Sequence, residues 1–224
     1  MNAVEVKLLI LVLKHKRTFL GELSSLAGVP GNVVTEILRK HGDAIKIHGE
    51  EVVVNDPVLL ALKLANMNVE LSKISELLSW RDFEVFSSRL LEESGYSVVR
   101  GLKMTYPVRF EIDVLAVEPS TGFSVAVDCK HWSISSTSRL IDAAERHSNR
   151  VKKLIEYYLL VKSKYKAVER AKAIVPLIVT LLTPSLRAHS GVLILSIKEF
   201  PHFIVEKYSV MDYFEVKPFK VGHK

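Results

Sequence analysis

Glutamine is absent from this 224-residue sequence, and cysteine occurs once, at Cys129. A single thiol excludes an intrachain disulfide and any zinc site built on a cysteine cluster, and it fits a reducing compartment. Few thermolabile side chains beside abundant Lys and Glu point to a thermophilic source. Long apolar runs are missing too. Leu8-Leu9-Ile10-Leu11-Val12-Leu13 is followed by Lys14-His15-Lys16-Arg17 instead of a small-residue cleavage site. The later run Ala173 to Leu182 contains Pro176 and falls short of the roughly 20 residues a membrane helix needs. A cytoplasmic protein is expected, with no membrane partner. Low-complexity segments and repeats at solenoid spacing are likewise lacking.

What is present is apolar content of 48%, ample for a packed core over two small domains or one large one. The net charge is +6, and it is unevenly spread. Residues 1–78 hold nine Lys/Arg against nine Asp/Glu. Residues 139–172 hold ten basic residues against four acidic ones, an excess equal to that of the whole chain. A local basic stretch is the footprint of a polyanion partner, although a solvated helix face has the same composition.

The spacing of apolar residues predicts three N-terminal helices, over residues 4–16, 19–27 and 32–40, with Thr18 as the cap of the second. Two short strands, 44–48 and 51–55, follow around Gly49. Three helices and a hairpin are the order of a winged helix-turn-helix, with the third helix as its recognition helix. Asn32, Thr35, Glu36, Arg39 and Lys40 lie on its outward side, which makes Arg39 and Lys40 candidate DNA contacts. The neutral charge of this region favours dimerisation or structural support as the rival role. Residues 57–78 read as a helical connector interrupted near Asn66 and Asn68. The expected organisation is therefore a winged-helix-like domain over 1–56, a connector over 57–78 and a second domain over 79–224.

The second domain begins with Ser79-Trp80-Arg81-Asp82, a capping-box pattern, and its helix stops at Gly95. Strands are expected at 96–103, 108–117 and 123–132, then a long helix from about 139 to 161, then strands at 173–182 and 192–197. This is an α/β domain, a mixed sheet flanked by helices. Side chains alternate along a strand, so Asp128 and Lys130 emerge from one face of an otherwise apolar segment. The preceding strand carries one acid among apolar residues, Asp113. Such charges are costly to bury unless they pair or bind a metal. Two converging carboxylates suit Mg²⁺, which prefers oxygen and is commonly held by one or two carboxylates plus waters and phosphate. A buried salt bridge of either aspartate with Lys130 is the plainer alternative.

Phe83-Glu84, Leu90-Leu91, Gly95-Tyr96-Ser97-Val98, Glu111-Ile112-Asp113-Val114-Leu115-Ala116 and Val125-Ala126-Val127-Asp128-Cys129-Lys130-His131-Trp132, in that order, resemble Mrr-like restriction endonucleases. More distantly they resemble archaeal Holliday junction resolvases. Both groups belong to the PD-(D/E)XK superfamily. The resemblance is good over residues 79–132 and holds only in outline beyond. It implies a restriction-endonuclease-like fold in which Asp113 and Asp128 bind metal, Lys130 acts in catalysis and Glu84 completes the site. Mg²⁺ is the implied cofactor, with Mn²⁺ as a substitute. Ile112 stands where proline is usual, and Asp128 where Glu or Gln is common. Glu111 is a competing acid on the same strand. The resemblance also places the helix after Lys130 near the substrate backbone, so Arg139, Arg146 and Arg150 are expected to meet phosphates. His131, just past Lys130, is read as structural.

The function expected is metal-dependent hydrolysis of DNA phosphodiester bonds by a homodimer, since two strands must be cut. A junction-resolving nuclease, or a DNA-binding regulatory protein with a vestigial nuclease fold, are the rivals.

Overall fold

A computed structural model describes residues 3–132 and 136–222. The chain divides into two compact units, residues 1–86 and 87–224, whose border falls within one helix.

In the first unit, α1 (Ala3–His15) buries Leu8, Leu9, Val12 and Leu13 at helical spacing. A short strand β1 (Arg17–Phe19) leads into α2 (Leu20–Ala27), α3 (Gly31–Arg39) and the hairpin β2 (Ile45–His48) and β3 (Glu51–Val54). The strands form one sheet in the order β1-β3-β2. Thr18 does not cap α2, as its sequence position suggested. It lies in β1, paired with Val52, and its hydroxyl donates to Glu22 Oε2 at 2.6 Å. The cap position belongs to Phe19, which gives no side-chain hydrogen bond. β1 was hidden because three residues are too few to show an alternation. Asp56 caps α4 (Pro57–Asn66), accepting from the amides of Val58 and Leu59, and Pro57 tolerates the first helical turn because no amide is needed there. Asn68, with φ 58°, separates α4 from α5 (Leu71–Glu76).

Helix α6 (Trp80–Glu93) opens on a reciprocal box: the Ser79 amide and hydroxyl donate to Asp82 Oδ2, and the Asp82 amide donates to Ser79 Oγ.

The second unit is built on a seven-stranded mixed sheet in the order β4-β5-β6-β7-β9-β8, with β10 also paired to β7. The strands are β4 (Ser97–Met104), β5 (Phe110–Val117), β6 (Phe123–Lys130), β7 (Ala173–Thr180), β8 (Ala188–His189), β9 (Val192–Ser196) and β10 (Phe219–Lys220). β4, β5 and β6 run antiparallel in turn, whereas β6, β7 and β9 are parallel. A parallel pair needs a crossover. Here it is α7 (Thr137–Glu156), followed by α8 (Tyr158–Lys164) and a single 3-10 turn at Lys166–Val168. The one long helix expected over 139–161 is thus two helices. α7 is capped by Ser136 and buries Leu140, Ala143, Ala144, His147, Ser148, Val151 and Leu154, one continuous stripe. Val151 and Leu154 pack with Leu115 and Ala126 in one core, and Leu140, Ala143 and Ala144 pack with Ile178, Val192 and Ile194 in another.

Pro176 sits in a central strand, where its missing N–H is normally a defect. β10 pairs with Ala173 and Ile174, and β9 pairs from Leu177 onward. Pro176 occupies the gap between them. Helix α9 (Phe200–Tyr213) completes the unit, its buried Lys207 held 3.0 Å from Glu118 Oε1. Among the described residues no helix is long and apolar enough to cross a membrane.

Candidate active site

The register brings Asp113 and Asp128 together. Val114 pairs with Val127, so Asp113 falls opposite Asp128, but the ladder ends at Val114. On the other side of β5, Arg100 pairs with Val114 and Leu102 with Ile112, and the pair between them is missing. Its member on β4 is Gly101, at φ 57°, a conformation that glycine adopts without strain. The strand therefore bends at Asp113. Ile112 and Leu115, an odd interval apart, pack into the same core. Where the ladder stops, the Asp113 side chain takes its place, accepting the Cys129 amide at Oδ2, 2.8 Å away.

Asp128 faces α7 and is 2% exposed. Arg150 Nη2 lies 3.0 Å from its Oδ1 and Lys130 Nζ 2.8 Å from its Oδ2. Two cations thus flank the Asp128 carboxylate, one on each oxygen. Beneath lies His147, fully buried, its Nε2 2.7 Å from the Ala126 carbonyl oxygen.

These surroundings move the two carboxyls in opposite directions. Asp113 is pushed up to about 6, first by burial and then by the Asp128 carboxylate, against the pull of the Cys129 amide, Lys130 and Arg150. Burial also opposes ionisation of Asp128, but His147, Lys130 and Arg150 outweigh it and hold its carboxyl below the ordinary aspartate value. Burial pushes His147 down to about 4, so at neutral pH the charges acting on Asp128 are those of Lys130 and Arg150.

The other residues singled out from sequence lie as follows. Glu84 is half-buried in the first half of α6. Arg139 is exposed on the first turn of α7, its guanidinium 3.9 Å from the centroid of the Trp132 ring, and Lys130 Nζ is 5.7 Å from the same ring. Arg146 is exposed on α7. Arg150, read from sequence as a phosphate contact, is engaged with Asp128. Glu111 is exposed and pairs with Lys103 at 3.0 Å. Arg39 and Lys40 are exposed at the end of α3, Lys40 within 3.6 Å of Glu36. Sequence reasoning missed His147 and the pairing of Arg150. Their signal was a polar pair at i, i+3 on the inward stripe of α7.

The donor set for a cation is two carboxylates: among the described residues no cluster of three or more His, Cys, Asp or Glu side chains is gathered. Such a set fits a hard divalent cation that keeps waters and takes a phosphate oxygen as a further ligand. The repulsion that Asp113 feels from the Asp128 carboxylate is what a shared cation would relieve.

An antiparallel hairpin leading into a parallel β-α-β unit, with an aspartate on one strand and D-X-K on the next, is the mixed, helix-flanked sheet that the sequence led us to expect. Residues 75–173, which include Asp113, Asp128, Lys130 and Arg150, match the Mrr_cat family model, Restriction endonuclease. Over those residues the chain is similar to restriction endonucleases of the Mrr type. Two solved structures are similar at low identity. The restriction endonuclease FokI is 11% identical, with 91% of this chain and 44% of that one covered and a TM-score of 0.41. Protein VC1899 from Vibrio cholerae is 13% identical, with 96% and 53% covered and a TM-score of 0.33. The chain spans about half the length of each. No curated protein matches it.

Proposed function

We propose that this chain is a divalent-metal-dependent DNA endonuclease of Mrr-like type. The observation that carries the reading is the pair of carboxyls set side by side where the β5–β6 ladder stops, one accepting a backbone amide and one flanked by Lys130 and Arg150. Asp113 and Asp128 would hold Mg²⁺, or Mn²⁺ in its place. When bound, that cation supplies Lewis acidity towards a phosphoryl oxygen and makes nearby water more acidic. Lys130 orients the attacking water and steadies the charge that develops on the phosphate. Arg150 keeps Asp128 ionised and fixed. Glu84 assists from α6. Arg139, placed against Trp132, and the exposed Arg146 meet the DNA backbone, which gives affinity and salt dependence without reading sequence.

The domain organisation we propose is a winged-helix-like module over 1–56, a connector over 57–78 and the nuclease over 79–224, acting as a homodimer. Arg39 and Lys40 are the contacts the first module offers to DNA. Plain, methylated and four-way-junction DNAs, each incubated with Mg²⁺ or Mn²⁺, separate a restriction-type role from junction resolution. A preparation that cuts none of them, or an Asp128→Ala variant that cuts as well as the wild type, sinks the proposal.

A further inference from the structure

The β5–β6 ladder stops at Val114 and Val127, whereas β4 and β5 stay paired as far as Met104 and Phe110. The far part of that hairpin therefore leaves β6 as a two-stranded arm, rooted at Asp113 and closed by residues 105–109. The arm is propped from one side. Met104, Phe110 and Ile112 are buried in the core that holds Tyr158 and Val168. The Tyr165 hydroxyl accepts from the Lys103 amide and donates to the Lys103 carbonyl, each at 3.2 Å. Lys164 Nζ donates to the same carbonyl at 3.1 Å. The arm is thus set before any partner arrives, and little ordering entropy is lost on contact.

Alternation puts Asp113, Glu111 and Arg109 on the face of the arm opposite Phe110 and Ile112, and both Glu111 and Arg109 are exposed. Glu111 is already engaged with Lys103. Arg109 makes no ion pair or hydrogen bond among the described residues. Residues 100–110 contain three basic side chains and no acid. At the tip, Tyr106 is 84% exposed. A single exposed aromatic is ordinary on a surface. At the end of a propped arm, three residues from an uncompensated guanidinium, it describes a partner that offers anions and apolar edges together. Arg109 is four residues along the chain from Asp113, a span of at most about 14 Å. A DNA strand advances about 3.4 Å per nucleotide, so a phosphate held at Asp113 brings Arg109 within about four base pairs of the cut. The major groove of B-DNA admits a two-stranded ribbon.

We propose that this arm grips duplex DNA beside the cut, Arg109 taking a backbone phosphate and Tyr106 lying in the adjoining major groove. The proposal rests on the nuclease reading above. The arm carries Asp113 at its root, so the grip on the DNA and the placing of the scissile phosphate are made by one rigid piece of chain.

The test uses the full chain and a duplex in which 5-iododeoxyuridine replaces thymidine, which puts the iodine in the major groove in place of the methyl group. Irradiation without added Mg²⁺, followed by mass spectrometry, should place an adduct on Tyr106. Fluorescence anisotropy should show Tyr106→Ala binding about fivefold more weakly, the worth of burying roughly half of its ring. Arg109→Ala should reduce the slope of log affinity against log salt by about one. Both positions are exposed, so both variants should melt with the wild type. With Mg²⁺ both should raise KM and leave kcat unchanged, the mark of a contact made equally in ground and transition states. No adduct on Tyr106, with both variants binding as the wild type does, overturns the proposal, and continued cleavage by the wild type leaves the nuclease reading intact. A wild type that cuts no duplex sinks the nuclease reading and, with it, the place of the arm beside a cut. A Tyr106→Ala chain that sediments differently from the wild type yet binds DNA equally well also overturns the proposal, because the tip would then dock a second copy.

Discussion

β5 and β6 each carry one aspartate where their ladder stops, yet the chain treats the two carboxyls differently. At Asp128 two cations converge, and the carboxyl ionises more readily than usual. At Asp113 the nearest donor is a backbone amide, and burial together with the neighbouring anion pushes the carboxyl up to about 6. One anion is neutralised from within the chain. On the proposed reading, the other gains its full partner from a bound cation. Metal affinity should therefore be governed at Asp113, and the stability of the strand end at Asp128.

The comparison breaks most sharply by removing Asp128. Asp128→Asn should lower cleavage by at least about 1,000-fold, equivalent to roughly 4 kcal/mol of transition-state stabilisation. It also leaves Lys130 and Arg150 facing each other. Breaking a buried pair costs about 3–5 kcal/mol, and the lower figure applies because both cations reach solvent. Urea denaturation should show that loss. A variant as stable as the wild type would mean that Asp128 is not the anchor of this cluster.

Asp113→Asn should lower cleavage comparably and yet raise stability. The folded Asp113 has a pKa above its ordinary 3.8, so folding favours its protonated form. That contribution is complete below about pH 4 and lost as pH rises through about 6. At pH 8 asparagine removes the penalty while keeping an acceptor for the Cys129 amide. A gain of about 1 kcal/mol, or about 2–4 °C in Tm, is expected. The same variant at pH 4 should show almost none of the gain, and a loss of stability at pH 8 would contradict the assignment.

The proton and the metal should compete at Asp113. At limiting Mg²⁺, kcat/KM should fall about tenfold per unit below about pH 6, and raising Mg²⁺ should move that limb to lower pH. A limb indifferent to metal concentration would separate the titrating group from the metal site. The smallest effect is expected at Arg139. Arg139→Ala should weaken DNA binding a few-fold and reduce the slope of log affinity against log salt by about one.

The likeness between these strand ends was legible only in part. Alternation alone put Asp128 and Lys130 on one face of β6, because the period of a strand is fixed by its backbone. The same rule fails across Asp113, where β5 bends opposite Gly101, and the failure is not visible in a run of residues that reads as regular. The basic stretch after β6 was legible as charge, but its division was not. Arg150 turns inward to Asp128 while Arg139 stays outside on Trp132, a choice set by the phase of α7 over the sheet. α9 was not assigned at all. Its buried stripe of Phe200, Phe203, Ile204 and Met211 is broken by Lys207, whose partner Glu118 lies 89 residues away in sequence.

Trp132 makes the end of β6 visible to light. The chain has two tryptophans, and the other, Trp80, is 57% exposed. A Trp80→Phe chain would keep one indole, flanked by the Arg139 guanidinium at 3.9 Å and the Lys130 ammonium at 5.7 Å. Charge so close to the ring perturbs its excited state, and an anion that draws Arg139 away would alter the colour and brightness of the emission. The protein thus carries its own dye at the strand end, and events there can be followed in a stopped-flow cuvette with no label on either partner.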